Sequence, residues 1–196
     1  FTGGSGGANL VITLNANTDE AAATALIKAI GYENTDTDNP TAGNRTVRFV
    51  LNDGDGGTSL NQDTVVAVSG VNDDPVNTGS LPTDITVTED VLSNIDLSAI
   101  VLSDADHSGG NLTITLTTGA GNLTATSGGG VTVGGTSTAM KLTGTQANLN
   151  TFLSVPSNIR YLHPTANTYG DNADSLSVQV TDNGNSGSGG GGDILL

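Results

Sequence analysis

One pattern occurs twice in this chain: an apolar alternating run, a loop rich in Asp, Asn and Gly, then a second apolar run. Tyr32 and Tyr161 stand 129 positions apart, and so do Asp53 and Asp182. At that offset Phe49 and Leu51 fall on Val178 and Val180, Ile30 falls on Ile159, and the glycines after Asp53 fall near those after Asp182. A match over a whole strand and its loop marks a tandem array. The first copy leads into Val71-Asn72-Asp73-Asp74-Pro75, whereas the second stops at Ile194-Leu195-Leu196. With no initiator Met at Phe1, the expectation is a piece of a longer protein. The first copy lacks the counterpart of Leu81 to about Thr126 and the second lacks most of its last strand, so neither is complete as a sandwich.

Composition bears on what can hold such copies together. The 196 residues are 35% hydrophobic and 3% aromatic with 28 Gly, which suits a β-prone chain with a thin core. No apolar run approaches the length of a membrane span. There is no Cys, so a disulfide framework is excluded and a metal ion becomes the candidate staple. The net charge of −15 comes from 17 Asp and 3 Glu against 5 Lys and Arg. That balance repels nucleic-acid phosphates and anionic lipid headgroups. The Asp excess has two readings: Asx hydrogen bonding in β-turns, or carboxylates set out on turns for Ca²⁺.

Position along the chain separates them further. Leu10 to Leu14 alternate as a strand, and Thr18-Asp19-Glu20 cap a short helix over Ala21 to Ile30, with Ala22, Leu26 and Ile30 four apart. Thr145 is the matching cap in the second copy, ahead of Leu149, Phe152 and Leu153. Thr46 to Leu51 and Thr64 to Val68 read as an antiparallel pair across a Gly-rich loop. Short strands are expected at Ile85 to Thr88, Ile95 to Leu97, Leu112 to Leu116, Asn122 to Thr126, Val131 to Val133, Ala139 to Leu142, Ile159 to Leu162 and Ser175 to Val180. Many short strands between turn residues argue for an all-β, sandwich-type fold. The expected organisation is 1–70 as the C-terminal part of one repeat, 71–75 as linker and 76–196 as a second repeat.

The string Leu142-Thr-Gly-Thr-Gln-Ala-Asn-Leu149, then Ile159-Arg-Tyr161, then Ser175 to Gly187 resembles the cadherin-like tandem repeats of giant bacterial surface adhesins and RTX-type exported proteins. Thr88-Glu89-Asp90, Ser103-Asp104-Ala105-Asp106 and Val71 to Pro75 stand where that family has its Glu-Asp, Asp-x-Asp and Asn-Asp-x-Pro elements. The resemblance spans nearly the whole chain. It implies tandem immunoglobulin- or cadherin-like β-sandwich repeats, each with one short inserted helix, Ca²⁺ at or near the joints, export to the bacterial cell surface, and a role in adhesion. Asp74 departs from the pattern, where a small residue is usual, and is read as another solvated charge.

In an immunoglobulin-like sandwich the loop between the second and third strands, the loop between the last two strands and the approach to the first strand share one end. Here those segments carry Asn72 and Asp73, Asp104 and Asp106, and Asp182. Ca²⁺ takes about six to eight oxygen ligands, which carboxylates, amides, carbonyls and waters supply. Clustered carboxylates without a cation repel one another. The alternative is three hydrated turns. Glu89 and Asp90, just past the first strand, belong to the opposite pole and the next joint. Asp53 and Asp55 are the first copy's counterparts of the Asp182 loop, in a site whose other loops are missing.

Other chemistry has less support. Asp36-Thr37-Asp38-Asn39 lacks the Gly and closing Glu of an EF-hand and reads as a plain loop, as does Gly54-Asp55-Gly56-Gly57. His107 and His163 are the only histidines and there is no thiol, which leaves catalysis and zinc without a constellation. Gly3 to Gly7 and Gly189 to Gly192 lack the Lys and Ser or Thr of a phosphate loop. The expectation is a non-catalytic calcium-binding stalk repeat, partnered by neighbouring repeats of its own chain, with cell-surface or matrix ligands reached through other domains. The alternatives are a calcium-dependent lectin-like or protein-binding module and an accessory repeat of a secreted hydrolase.

Overall fold

A computed structural model describes residues 1–185, 187 and 194–196. The chain forms two compact units, Phe1–Thr35 and Asp36–Leu196. In the first, α1 spans Glu20–Ala29. The Asp19 side chain caps it by accepting from the Ala22 N–H at 2.8 Å, as the sequence predicts. No residue of α1 is buried. The strand expected at Leu10 to Leu14 is reduced to one bridge, Thr2 to Val11. Leu10 and Leu14 stay exposed, because an isolated alternating run has no second strand to complete a ladder.

The second unit opens with β1 (Gly43–Phe49) and β2 (Gln62–Val68), paired antiparallel from Gly43 opposite Val68 to Phe49 opposite Gln62. Next come β3 (Val76–Asn77), β4 (Ser93–Asn94), β5 (Leu102–Ser103), β6 (Asn111–Thr118), β7 (Asn122–Ala125), β8 (Thr132–Gly135) and β9 (Ala139–Thr145). Helix α2 (Gln146–Leu153) precedes β10 (Ile159–Leu162), β11 (Leu176–Thr181) and β12 (Ile194–Leu195). The larger sheet runs β12-β11-β6-β9-β8 and a smaller one runs β4-β10-β7. Every pairing is antiparallel, and β3 pairs with β5 as a short ribbon. Over the described residues the chain is therefore all-β with two short α-helices and one 3-10 turn, Pro156–Asn158. None of its described helices is long and apolar enough to cross a membrane.

Alternation decides which face of the larger sheet is covered. Leu112, Ile114 and Leu116 on β6, Met140 and Leu142 on β9, and Val178 and Val180 on β11 all point into one cluster. The smaller sheet adds Leu123, Ile159 and Tyr161, and α2 adds Leu149, Phe152 and Leu153. Thr145 caps α2 as expected, accepting from the Asn148 N–H at 3.3 Å. Each fully buried Leu or Val contributes about 1.5–3 kcal/mol by leaving water.

Two more expected strands differ. Ile85 and Val87 pack against the core, yet no ladder forms over Ile85 to Thr88. Ile95 and Leu97 are buried, but the paired residues are Ser93 and Asn94, which meet β10. In both places burial produced the apolar alternation without a full strand. The first copy contrasts with the second: Tyr32 and Leu51 are about half exposed, while their counterparts Tyr161 and Val180 are buried. β1 and β2 form a sheet of two strands only, separate from the sheets around the core.

Candidate metal centre

One end of the second unit collects the acidic loops. The residues after β5 and after β11 lie there, because Val76 pairs with Ser103 and Thr181 pairs with Thr113 near the start of β6. The start of α2 reaches the same end, since Thr145 pairs with Asn111. Asp104, Asp106 and Asp182 each offer a carboxylate oxygen, and these oxygens lie within 4.8 Å of one another. All three are buried, Asp182 completely. Such a cluster can hold a metal ion.

Local hydrogen bonds shape each loop before any ion is considered. The Asp106 N–H donates to Asp104 Oδ1 at 3.2 Å, and the Gly184 N–H donates to Asp182 Oδ1 at 2.9 Å. Both are Asx turns, the local geometry that Asp favours. Asn183 adopts a left-handed φ of 62°, which Asn tolerates, and its side-chain amide donates to the Asn111 carbonyl at 2.8 Å. Gly187, at φ +81°, packs against the linker so closely that a Cβ there would sit 2.4 Å from Asn72 N.

Helix α2 supports the Asp104 loop from behind. Gln146 Oε1 accepts from the Asp104 N–H at 3.2 Å, and Asn150 both accepts from the Leu102 N–H and donates to the Leu102 carbonyl. Sequence reading missed this pair. Its only signal is two amide side chains four apart on a helix whose other stripe is apolar. His107 Nδ1 lies 2.8 Å from the Asp104 carbonyl, so its ring fastens the loop. Asn39, placed in a plain loop by its sequence, donates its amide to the Ala105 carbonyl at 3.1 Å.

The linker docks on the same cluster. Asn72 is 5% exposed and Pro75 is fully buried. Asn72 Nδ2 donates to Asp182 Oδ2 at 2.5 Å, and the Asp73 N–H donates to Asp106 Oδ2 at 3.2 Å. Five of the nine predicted residues, Asn72, Asp73, Asp104, Asp106 and Asp182, thus meet at one place. The other four lie apart from it. Asp90 sits in the turn after Thr88 and accepts from the Asn167 N–H at 3.3 Å, at the end where β6 runs into β7, with Glu89 beside it. Asp53 Oδ1 accepts from the Asp55 and Gly57 N–H groups in the exposed β1–β2 loop.

Electrostatics make the cluster costly to bury. Burial, reinforced by the Asp106 and Asp182 carboxylates, pushes the Asp104 carboxyl above the usual carboxylate range, against the lowering effect of its backbone hydrogen bond. Asp104 Oδ2 is buried and has no hydrogen-bond partner among the described residues. A buried carboxylate oxygen without a donor is costly, and a cation removes that cost. The donors are all oxygens, which suits a hard cation better than zinc. Compared with protein-family models, with curated proteins and with solved structures, the chain matches none.

Proposed function

We propose that this chain is a non-catalytic, calcium-binding extension repeat of a large exported bacterial adhesin, in which Ca²⁺ stiffens the joint between repeats. The observation behind this reading is the docking of Asn72 and Asp73 onto Asp182 and Asp106, two of three clustered buried aspartates, the third of which, Asp104, has a buried oxygen with no donor among the described residues. Asp104, Asp106 and Asp182 would hold the ion, with the linker residues Asn72 and Asp73 completing the oxygen set. The ion supplies positive charge that offsets the mutual repulsion of the carboxylates. On this reading the two sheets on a common core are an immunoglobulin-like sandwich, and the linker is the hinge that the ion locks.

The mechanism is mechanical. A repeat whose joint closes on Ca²⁺ holds its neighbour at a fixed angle, so that an array of them stands away from the cell surface, where calcium is available. Stability then rises with free Ca²⁺ as its concentration exceeds the dissociation constant. Thermal unfolding across a Ca²⁺ titration, with a chelated control and the Asp104→Asn/Asp106→Asn variant alongside, tests this. The expected result is a calcium-dependent rise in melting temperature that the double variant loses. No shift at saturating Ca²⁺ would reduce the chain to an acidic spacer.

A further inference from the structure

Asn72 is the one residue of the cluster whose two side-chain ends have opposite electrical character. Its amide nitrogen is a donor and its amide oxygen an acceptor, on nearly isosteric arms. The donor end is the one on Asp182 Oδ2, and the same nitrogen lies 3.3 Å from the Asp73 carbonyl. With the Asp73 N–H on Asp106, the linker thus offers N–H groups to two of the three carboxylates. N–H groups placed on carboxylates do part of what a cation does: they neutralise charge and hold the linker down. They also point the wrong way to ligate one.

We infer that Asn72 is a two-position latch, resting on the calcium reading above: its amide nitrogen holds the linker on Asp182 in the metal-free chain, and rotation about its Cβ–Cγ bond presents Oδ1 to the cluster in the calcium-loaded chain. The rotation exchanges a donor for an acceptor without moving the backbone, so the linker docks at one place in both states and is held more firmly by the ion than by its N–H contacts alone. Asp at position 72 can ligate but cannot latch, because it brings a fourth carboxylate and no donor. Ala can do neither. The latch therefore accounts for an amide, and not a carboxylate, beside three aspartates that already repel one another.

The test uses the full 196-residue chain at neutral pH as wild type, Asn72→Asp and Asn72→Ala. Limited proteolysis is followed at 71–75 in chelator and in saturating Ca²⁺, and the Asn72 side-chain amide is followed by ¹⁵N-edited NMR in the wild type. In chelator, Asn72→Asp should be cleaved about ten- to a hundredfold faster than wild type, the factor expected for losing a hydrogen bond to a charged acceptor. In Ca²⁺ the two should be cleaved alike, whereas Asn72→Ala should be cleaved faster in both. The wild-type amide protons should be shifted downfield and protected in chelator, and should lose both properties on adding Ca²⁺. If the wild type responds to Ca²⁺ but Asn72→Asp matches it in chelator, or the amide signals do not move, the latch is wrong and the calcium reading stands. If the wild type shows no calcium response at all, both fall.

Discussion

Replacing Asp104 with Asn should stabilise the metal-free chain and weaken its response to calcium, two effects of opposite sign from one substitution. The three carboxylate oxygens lie within 4.8 Å of one another. At full charge and an effective dielectric constant of about 20, that separation costs about 3.5 kcal/mol for each pair. Protonation caps the penalty, since placing a proton on one carboxyl of ordinary acidity costs about 4 kcal/mol at pH 7. Removing the Asp104 charge should recover about half of that ceiling, about 2 kcal/mol. For a domain of this size the gain is a rise of roughly 4–8 °C in melting temperature. Asn keeps the Oδ1 acceptor for the Asp106 N–H, so the turn itself survives.

Acidity provides a second reading of the same quantity. The Asp104 carboxyl is raised in the folded chain, so its contribution to stability is fully present below the unfolded pKa near 4 and is lost as pH rises through the higher folded value. Metal-free wild type should therefore draw stability from Asp104 as pH falls from 7 to about 4, and Asp104→Asn should lack that contribution. Differential scanning calorimetry in chelator and in Ca²⁺, at both pH values, measures all of this. A variant that is less stable than wild type in chelator would refute the reasoning, because the aspartates would then not be in conflict.

Three further predictions concern residues that support the site or the far end of the sheet. Tyr161 Oη donates to Asp174 at 2.7 Å, and the carboxylate also accepts from the Ala120, Gly121 and Ser175 N–H groups. Burial pushes the Asp174 carboxyl up, but these hydrogen bonds outweigh it and leave it below the usual range, while burial and Asp174 together push the Tyr161 hydroxyl up. The depressed carboxyl adds stability above pH ~4 that is lost as pH falls through its folded value, and the raised hydroxyl adds stability that is lost above pH ~10. Tyr161→Phe should cost about 1–2 kcal/mol at pH 7 and flatten both limbs, read by denaturant melts from pH 3 to 11; unchanged limbs would remove the pair's role. Gln146→Ala should lower calcium affinity about five- to tenfold by leaving the Asp104 N–H without its acceptor, and Asn39→Ala about two- to fivefold, both read by calcium titration.

How much of this was legible in the sequence depends on whether a feature is local. The helix caps at Asp19 and Thr145 were, because an N-cap is a contact between residues three apart. The convergence of Asp104, Asp106 and Asp182 was also legible, through the expectation that an immunoglobulin-like sandwich gathers those loops at one end. Gln146, Asn150 and Asn39 were not, because an amide reaching a backbone group 42, 48 or 66 positions away leaves no trace in local pattern. Ile85 to Thr88 misled for a related reason: burial of Ile85 and Val87 produces alternation whether or not a neighbouring strand completes the ladder. Tyr32 and Leu51 show the limit of repeat arithmetic, which transfers a position but not the second layer that buries it.

In the proposed function Asp104, Asp106 and Asp182 hold one calcium ion under the linker. Isothermal titration of Ca²⁺ into the chelator-treated wild-type chain, beside the Asp106→Asn/Asp182→Asn variant, tests it most directly. The account predicts one saturable site in the wild type that the variant lacks. A wild-type chain that takes up no Ca²⁺, or a variant that binds it as well as the wild type, would contradict it.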